Sequence, residues 1–175
     1  MKVMVSVIPA AGRLRLRRLS PADTAGVQAL CKRCADYFLL HEGTPPGPSA
    51  AGDIFEALPP GKSAADKFVF GVESAGGLKG IVDLVRDFPE TGTWMLGLLL
   101  LEPSERGRGT GKAVHKALAS WAAGCGAAAF RIGVVEENAR GRRFWSSLGY
   151  LTQKDVSMRL GQKKHRVLVM TRPVP

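Results

Sequence analysis

The hydrophobic positions of this chain change period several times, and each change marks an element. From Leu14 to Leu19 leucine alternates with arginine, which predicts a strand with one buried face. Ser20-Pro21 then supplies an N-cap and a proline at the first helical position. Val27, Leu30, Cys31, Cys34 and Phe38 follow at helical spacing, so a helix is expected to about Leu40. His41 to Gly52, with three prolines and three glycines, reads as a loop. Asp53 to Leu58 reads as a helical turn, broken by Pro59-Pro60-Gly61. Phe68–Glu73 and Leu78–Arg86 read as strands joined by the turn Ser74–Gly77, and Pro89–Gly92 turns into a strand over Thr93–Leu101. Beyond a basic, glycine-rich stretch, Val114, Leu118, Trp121 and Ala122 share one face of a helix over Lys112–Ala123, which Gly124 or Gly126 ends. Leu151–Arg159 and Val167–Arg172 form a last strand pair around Gly161-Gln162-Lys163-Lys164. No repeat or linker interrupts the pattern, so residues 1–175 read as one domain.

Composition adds little until charge is placed along the chain. At 175 residues the chain is long enough for a substantial core. No apolar run approaches a membrane span, and Met1 to Ala11 is too short and too weakly apolar for a secretory signal, so the expected location is cytoplasmic. The net charge is +10, but residues 1–100 hold 11 basic and 10 acidic side chains while residues 101–175 hold 14 and 5. A positive field over the second half favours an anionic ligand, or serves only solubility. Cys31-Lys32-Arg33-Cys34 has the spacing of half a zinc site. No second pair of ligands accompanies it, and both thiols fall on the apolar helix face, so no metal is expected.

The chemistry concentrates where the run Leu96–Leu101 ends at Glu102-Pro103 and Arg106-Gly107-Arg108-Gly109-Thr110-Gly111-Lys112 begins. Strand, glycine-rich turn and helix start present first-turn N–H groups without partners at the positive end of a helix dipole, which suits a diphosphate. Glycines let it approach the backbone. A Walker A loop is excluded, because the glycine it needs would stand at Arg106 and Ala113 follows Lys112. A G-x-G-x-x-G dinucleotide loop is excluded too, because its third glycine would stand at Lys112. What remains is R-x-x-G-x-G, with Arg106, Gly109 and Gly111 at the fixed places.

That motif resembles the one with which the GNAT superfamily of acyl-CoA-dependent N-acyltransferases holds the pyrophosphate of coenzyme A. A second segment resembles the same family: Phe130–Glu137 with Asn138 is similar to its next strand, and Ala139–Tyr150, with Phe144-Trp145-Ser146-Ser147-Leu148-Gly149-Tyr150, to its following short helix. The resemblance runs from about Leu14 to Arg172. The element order β-α-β-β-β-α-β-α-β-β is a mixed α/β layout. The resemblance implies a mostly antiparallel, twisted sheet, splayed between its fourth and fifth strands and flanked by helices.

It also implies transfer of an acetyl group from acetyl-CoA to an amine by direct attack. Such a reaction needs a neutral amine, a donor for the developing oxyanion and a proton for the leaving thiolate. In the family, free backbone amides at the splay bind the pantetheine arm and polarise the carbonyl; here these belong to Leu99, Leu100 and Leu101, whose side chains read as core. Arg106, Gly107, Arg108, Gly109, Thr110, Gly111 and Lys112 would hold the diphosphate, with Arg108 or Lys112 adding charge-assisted bonds. Asn138 would bond the pantetheine arm, cap the following helix, or both. The family often places a tyrosine acid where this chain has Trp145, whose indole N–H donates but is no usable acid; Trp145 is kept only as a cofactor contact. The acid role is then empty, or filled by another group, for which Tyr37 is a candidate, or by water; Glu102, at the end of its strand, is the nearest candidate base, beside a water-relayed proton path. The family's acceptor pocket points to Tyr37, His41, Glu42, Asp83 and Arg86. Asp83 needs a partner if it faces inward, and simple alternation explains it if it faces outward. His115 reads as surface, and His165, in a basic turn, is given no role.

Two other readings stand beside the acetyltransferase of a small amine or a peptide or protein N-terminus. One is a nucleic-acid or ribosome-binding module using the basic half, against which the chain offers no basic–aromatic stacking pattern. The other is a non-catalytic acyl-CoA binder, prompted by Trp145. The last strand pair is available as a homodimer interface.

Overall fold

The computed structural model describes residues 7–175, so the part of Met1–Ala11 in residues 1–6 lies outside the described residues. Eight strands form a single sheet: β1 (Val7–Pro9), β2 (Arg15–Arg18), β3 (Lys67–Ser74), β4 (Gly77–Val85), β5 (Thr93–Leu101), β6 (Ala129–Val135), β7 (Leu151–Leu160) and β8 (Lys163–Pro173). Their order is β1-β2-β3-β4-β5-β6-β8-β7. Among the described residues only β5 and β6 pair in parallel, and between them runs the long crossover helix α4 (Thr110–Gly124). The remaining helices are α1 (Thr24–Arg33), α2 (Ala35–Glu42), α3 (Ala50–Glu56) and α5 (Ala139–Ser147). The sheet is thus mixed α/β with helices on both faces. Among the described residues no helix is long and apolar enough to cross a membrane.

Each face of the sheet carries its own core. Phe68, Phe70, Val82, Leu84, Trp94 and Leu96 face Val114, Leu118 and Ala122 of α4, together with Phe130, Ile132 and Tyr150. On the other face Val69, Ile81 and Leu100 meet Val27, Leu30, Cys31, Cys34 and Phe38. Burying Val27 and Leu30 completely contributes about 1.5–3 kcal/mol each, which fixes α1 on the sheet. The helix expected to run unbroken to Leu40 is two helices. At Cys34 (φ −103°, ψ 29°) the chain leaves helical geometry, and its N–H is shared between Leu30 and Cys31 carbonyls. The second helix, α2, ends two residues later than the loop expectation allowed, at Glu42 with Gly43 in the left-handed conformation (φ 82°).

The feature that builds a site is the divergence of β5 from β6. They pair over three positions only, Thr93–Met95 against Ala129–Arg131. Gly97 is an extra residue in β5, since Asp83 pairs with Leu98 but Leu84 with Leu96. Such a bulge bends the strand and increases its twist. Beyond it the parallel strands separate into an open V.

His115 departs from its surface reading. It is buried on α4, with Nε2 2.8 Å from Tyr150 Oη and Nδ1 3.4 Å from Arg172 Nη1. The guanidinium can only donate, so Nδ1 accepts and Nε2–H donates to the phenol. Burial, helped by Arg172, pushes the ring down to about 4 from its ordinary 6.5. A depressed pKa makes its contribution complete above pH 6.5 and lost as pH falls through about 4. We expect this to remove on the order of 2 kcal/mol of stability across that interval. In His115→Phe the pH-dependent loss should be absent; denaturant titrations at pH 7 and pH 4 check it, and an unchanged difference would refute the assignment.

Candidate active site

A cavity of about 530 Å³ occupies the V and continues over the start of α4. Its walls are β5 from Leu96 to Leu101, β6 from Ile132 to Val134, the loop between β5 and α4, the inner side of α5, and the end of α2.

Register fixes which backbone groups face the opening. Glu102 N–H donates to Lys79 O across the sheet (2.9 Å), and hydrogen-bonded pairs alternate with non-bonded ones. Leu98 and Leu100 therefore spend their backbone bonds on β4, and Leu99 and Leu101 point theirs into the V. Leu100 is corrected on this ground: its peptide is committed to β4, and it is the N–H groups of Leu99 and Leu101 that the register leaves open. The same count, from Glu136 N–H to Arg166 O (2.9 Å), turns the peptide of Gly133 towards the V from β6.

At the head of α4, Gly109 adopts φ 82° as N-cap, which only glycine accepts without strain. Ala113 N–H is the first to bond, to Gly109 O (3.0 Å). The amides from Gly107 to Lys112 have no backbone acceptor among the described residues, so a row of bare donors stands at the positive helix end. Arg106 is anchored beside them: its Nε donates to Leu101 O (2.8 Å), and its guanidinium forks onto both oxygens of Asp36 on α2. The Thr110 hydroxyl donates to Glu105 (3.1 Å), leaving its amide for a ligand. Lys112 reaches the cavity; Arg108 is exposed and lies outside the lining.

The α5 wall is set by Asn138, which caps the helix by accepting from Gly141 N–H (2.8 Å) and also lines the cavity. Trp145 lines it too and packs edge-on to Tyr150, 5.2 Å between centroids. Arg140, absent from the sequence reading, lies 3.9 Å through Nη2 from where a Cβ on Gly107 would stand. It adds a second cation to the cradle. Its place just after the capping Asn138 was the available signal.

At the opposite end, Tyr37, Leu40 and His41 of α2 line the cavity. The Tyr37 and His41 rings stack at 3.9 Å and 26°. Burial, with Glu42 nearby, pushes the Tyr37 phenol up to about 12, so it stays protonated. Four sequence candidates are not part of this lining. Glu102 points away: Lys79 (2.8 Å), Arg33 (2.9 Å) and Ser104 (2.6 Å) bind its carboxylate. Burial raises it, but these three donors prevail and bring it to about 2, far from a useful base. Asp83 faces inward, and its partner is Lys67, 2.8 Å from Oδ1. Arg86 pairs with Asp66 (3.1 Å) at the start of β3. Glu42 uses its carbonyl to accept from Gln162 N–H (2.9 Å), and its side chain does not reach the lining.

Comparison with known proteins places this geometry. The model of the acetyltransferase (GNAT) family matches residues 32–150. No protein of curated function matches the chain by sequence. Among solved structures, a probable acetyltransferase (GNAT family) from Chromobacterium violaceum is 18% identical with a TM-score of 0.77, over 99% of this chain and 93% of that one. The Salmonella typhimurium acetyl transferase that modifies the N-terminal serine of ribosomal protein L7/L12 is 13% identical with a TM-score of 0.77, over 97% and 99%. A ribosomal L7/L12 alpha-N-protein acetyltransferase in complex with coenzyme A is 12% identical with a TM-score of 0.76, over 96% and 98%. At these identities the likeness is one of fold.

Proposed function

The chain belongs to the acetyltransferase (GNAT) family, and from that premise we propose that it moves an acetyl group from acetyl-CoA to a primary amine, on a small molecule or a peptide N-terminus, by direct attack. The observation that carries this reading is the row of bare amides from Gly107 to Lys112, opening into the same cavity as the backbone N–H groups of Leu99 and Leu101 and the peptide of Gly133, which the register turns towards it. The residues present fit the cofactor: glycines leave room for a diphosphate, Arg140 and Lys112 supply charge, and the V is lined by apolar side chains and unpaired backbone. Acetyl-CoA, when bound, supplies the activated acetyl thioester.

The chain's own residues divide the remaining work. The cradle and Arg106 would hold the diphosphate; Asn138 and the strand peptides would orient the arm. The open N–H of Leu99 or Leu101 would be the donor for oxygen charge as it develops. Tyr37, held protonated at the α2 end of the cavity, would be a hydrogen-bond donor for the leaving group. Trp145 closes the wall and takes no proton role.

Calorimetric titration with acetyl-CoA tests the reading. Saturable one-to-one binding is expected. Arg140→Ala should weaken it about tenfold or more, from the ~1.5–3 kcal/mol of a hydrogen bond to a charged group, without shifting the melting temperature. Folded wild-type protein that shows no heat of binding at millimolar acetyl-CoA would overturn it.

A further inference from the structure

We propose that Nε2 of His41 is the base that takes the proton the acceptor ammonium must lose, an assignment that rests on the acetyltransferase reading above. His41 Nδ1 lies 2.8 Å from the carbonyl oxygen of Tyr37, one helical turn earlier. A carbonyl can only accept, so Nδ1 carries the hydrogen and, in the neutral ring, Nε2 keeps its lone pair. The ring cannot easily turn, because it stacks on Tyr37. Its helix end is clamped as well: His41 O accepts from His165 Nε2 (2.7 Å), Leu40 O from Lys163 Nζ (3.1 Å) and Glu42 O from Gln162 N–H.

Nε2 is open. Among the described residues it makes no hydrogen bond, yet it is not one of the sealed-off unbonded side-chain atoms, so it has accessible surface, and His41 faces the cavity. The other carboxylates do not compete: Glu102 is held by three donors, Asp83 by Lys67 and Asp36 by Arg106, and the Glu42 side chain does not reach the cavity. The charged and titratable groups around His41 are Lys163 and His165 from β8, Glu137 in the turn between β6 and α5, and Tyr37 and Glu42 on α2. Burial first, against the Tyr37 carbonyl and with His165 and Lys163 of β8 alongside, holds the ring below the ordinary histidine value, so it is a neutral acceptor at pH 7.

The proton balance closes. The ammonium brings three protons. One passes to His41 Nε2 and on to solvent, which frees the nitrogen lone pair. The C–N bond forms and the C–S bond breaks. A second proton ends on the sulfur, and the amide keeps the third.

Two measurements decide the assignment, and the first needs no acceptor. Nitrogen NMR of imidazole-labelled wild-type protein should show His41 at pH 7 as the Nδ1–H tautomer; an Nε2–H tautomer overturns the proposal. The second uses His41→Asn, whose amide keeps a donor near Nδ1 and removes Nε2. With a panel of spermidine, lysine and free-amino hexapeptides, the variant should bind acetyl-CoA as wild type does, while kcat/KM falls about 10²–10⁴-fold. The acid limb of the pH profile should vanish with it. A variant within threefold of wild type, with the limb intact, refutes His41. Absence of acetyl-CoA binding by wild type would instead refute the acetyltransferase reading, leaving the tautomer result to stand by itself.

Discussion

Lys67→Met is expected to cost the protein about 3–5 kcal/mol, the usual penalty for leaving one half of a buried ion pair alone. Lys67 and Asp83 are among the few buried charged side chains, 5% and 9% exposed. The ammonium sits 2.8 Å from Oδ1 and 2.9 Å from Oδ2, and also donates to Ala57 O at 2.7 Å, tying β3, β4 and the end of α3 together. Burial already holds the Asp83 carboxyl above its ordinary range, against the pull of Lys67. Without the cation it has no compensating charge. For a chain of this size the loss corresponds to a melting temperature lower by roughly 6–20 °C. The double variant Lys67→Met, Asp83→Leu should recover most of it, since an apolar pair of similar volume often replaces a buried bridge at little cost. Denaturant unfolding of both variants checks this, and a single-variant loss below about 1 kcal/mol would show the pair to be dispensable. The pair also bears on the site. Asp83 Oδ2 lies 3.4 Å from where a Cβ on Gly97 would stand, so the ion pair sits directly under the bulge that opens the V.

Sequence alternation does not decide which way Asp83 faces. β4 is buried on both faces from Gly80 to Val85. Alternation then carries no information about facing, because neither side is solvent. The same limit explains Glu102, which reads as an available acid at a strand end. Its donors come from positions 33, 79 and 104, and only the folded sheet brings the first two to it. His115 sits beside Val114 and Lys116 and His165 in a basic turn, yet their partners are Tyr150 and Arg172 in one case, Glu137 and His41 in the other. What was legible is local. The end of β5, the glycine turn and the start of α4 are written in consecutive residues whose backbone requirements differ from their neighbours', and Gly109 does take the left-handed conformation. The break between α1 and α2 was not legible, because the apolar face runs through Cys34 without a proline or glycine to mark it. Pairing of β5 with β6 over just three positions is a matter of register, which the resemblance implied and the residues alone did not reveal.

Gly111→Val is expected to abolish useful binding of acetyl-CoA while leaving the protein folded. A Cβ at Gly111 would stand 3.0 Å from Phe144 Cζ and 3.1 Å from Cε2, against the ring of α5, with Leu101 Cδ1 3.6 Å behind. Phe144 is no loose chain end: its ring packs 4.8 Å from that of Trp145. A valine must therefore push α5 from α4, and α5 carries Asn138 and Arg140 at its leading end. Overpacking of this kind costs about 1–3 kcal/mol, which a domain of ordinary stability survives. The cradle fares worse, since its two walls must hold donors on one diphosphate at once. We expect the Kd for acetyl-CoA to rise at least about 100-fold, or roughly 2.7 kcal/mol, by calorimetry. Gly124→Ala, at the far end of the same helix with nothing within 4 Å of the new carbon, is the matched control and should bind as wild type does. Gly109→Ala should fall between them. Its new methyl meets no neighbour, but φ 82° makes alanine strained there by about 1–2 kcal/mol. Relief of that strain would rotate the very amides that face the ligand. If Gly111→Val bound acetyl-CoA within threefold of wild type, the cofactor would not need α4 and α5 at their present spacing, and the cradle would have to be sought elsewhere in the V.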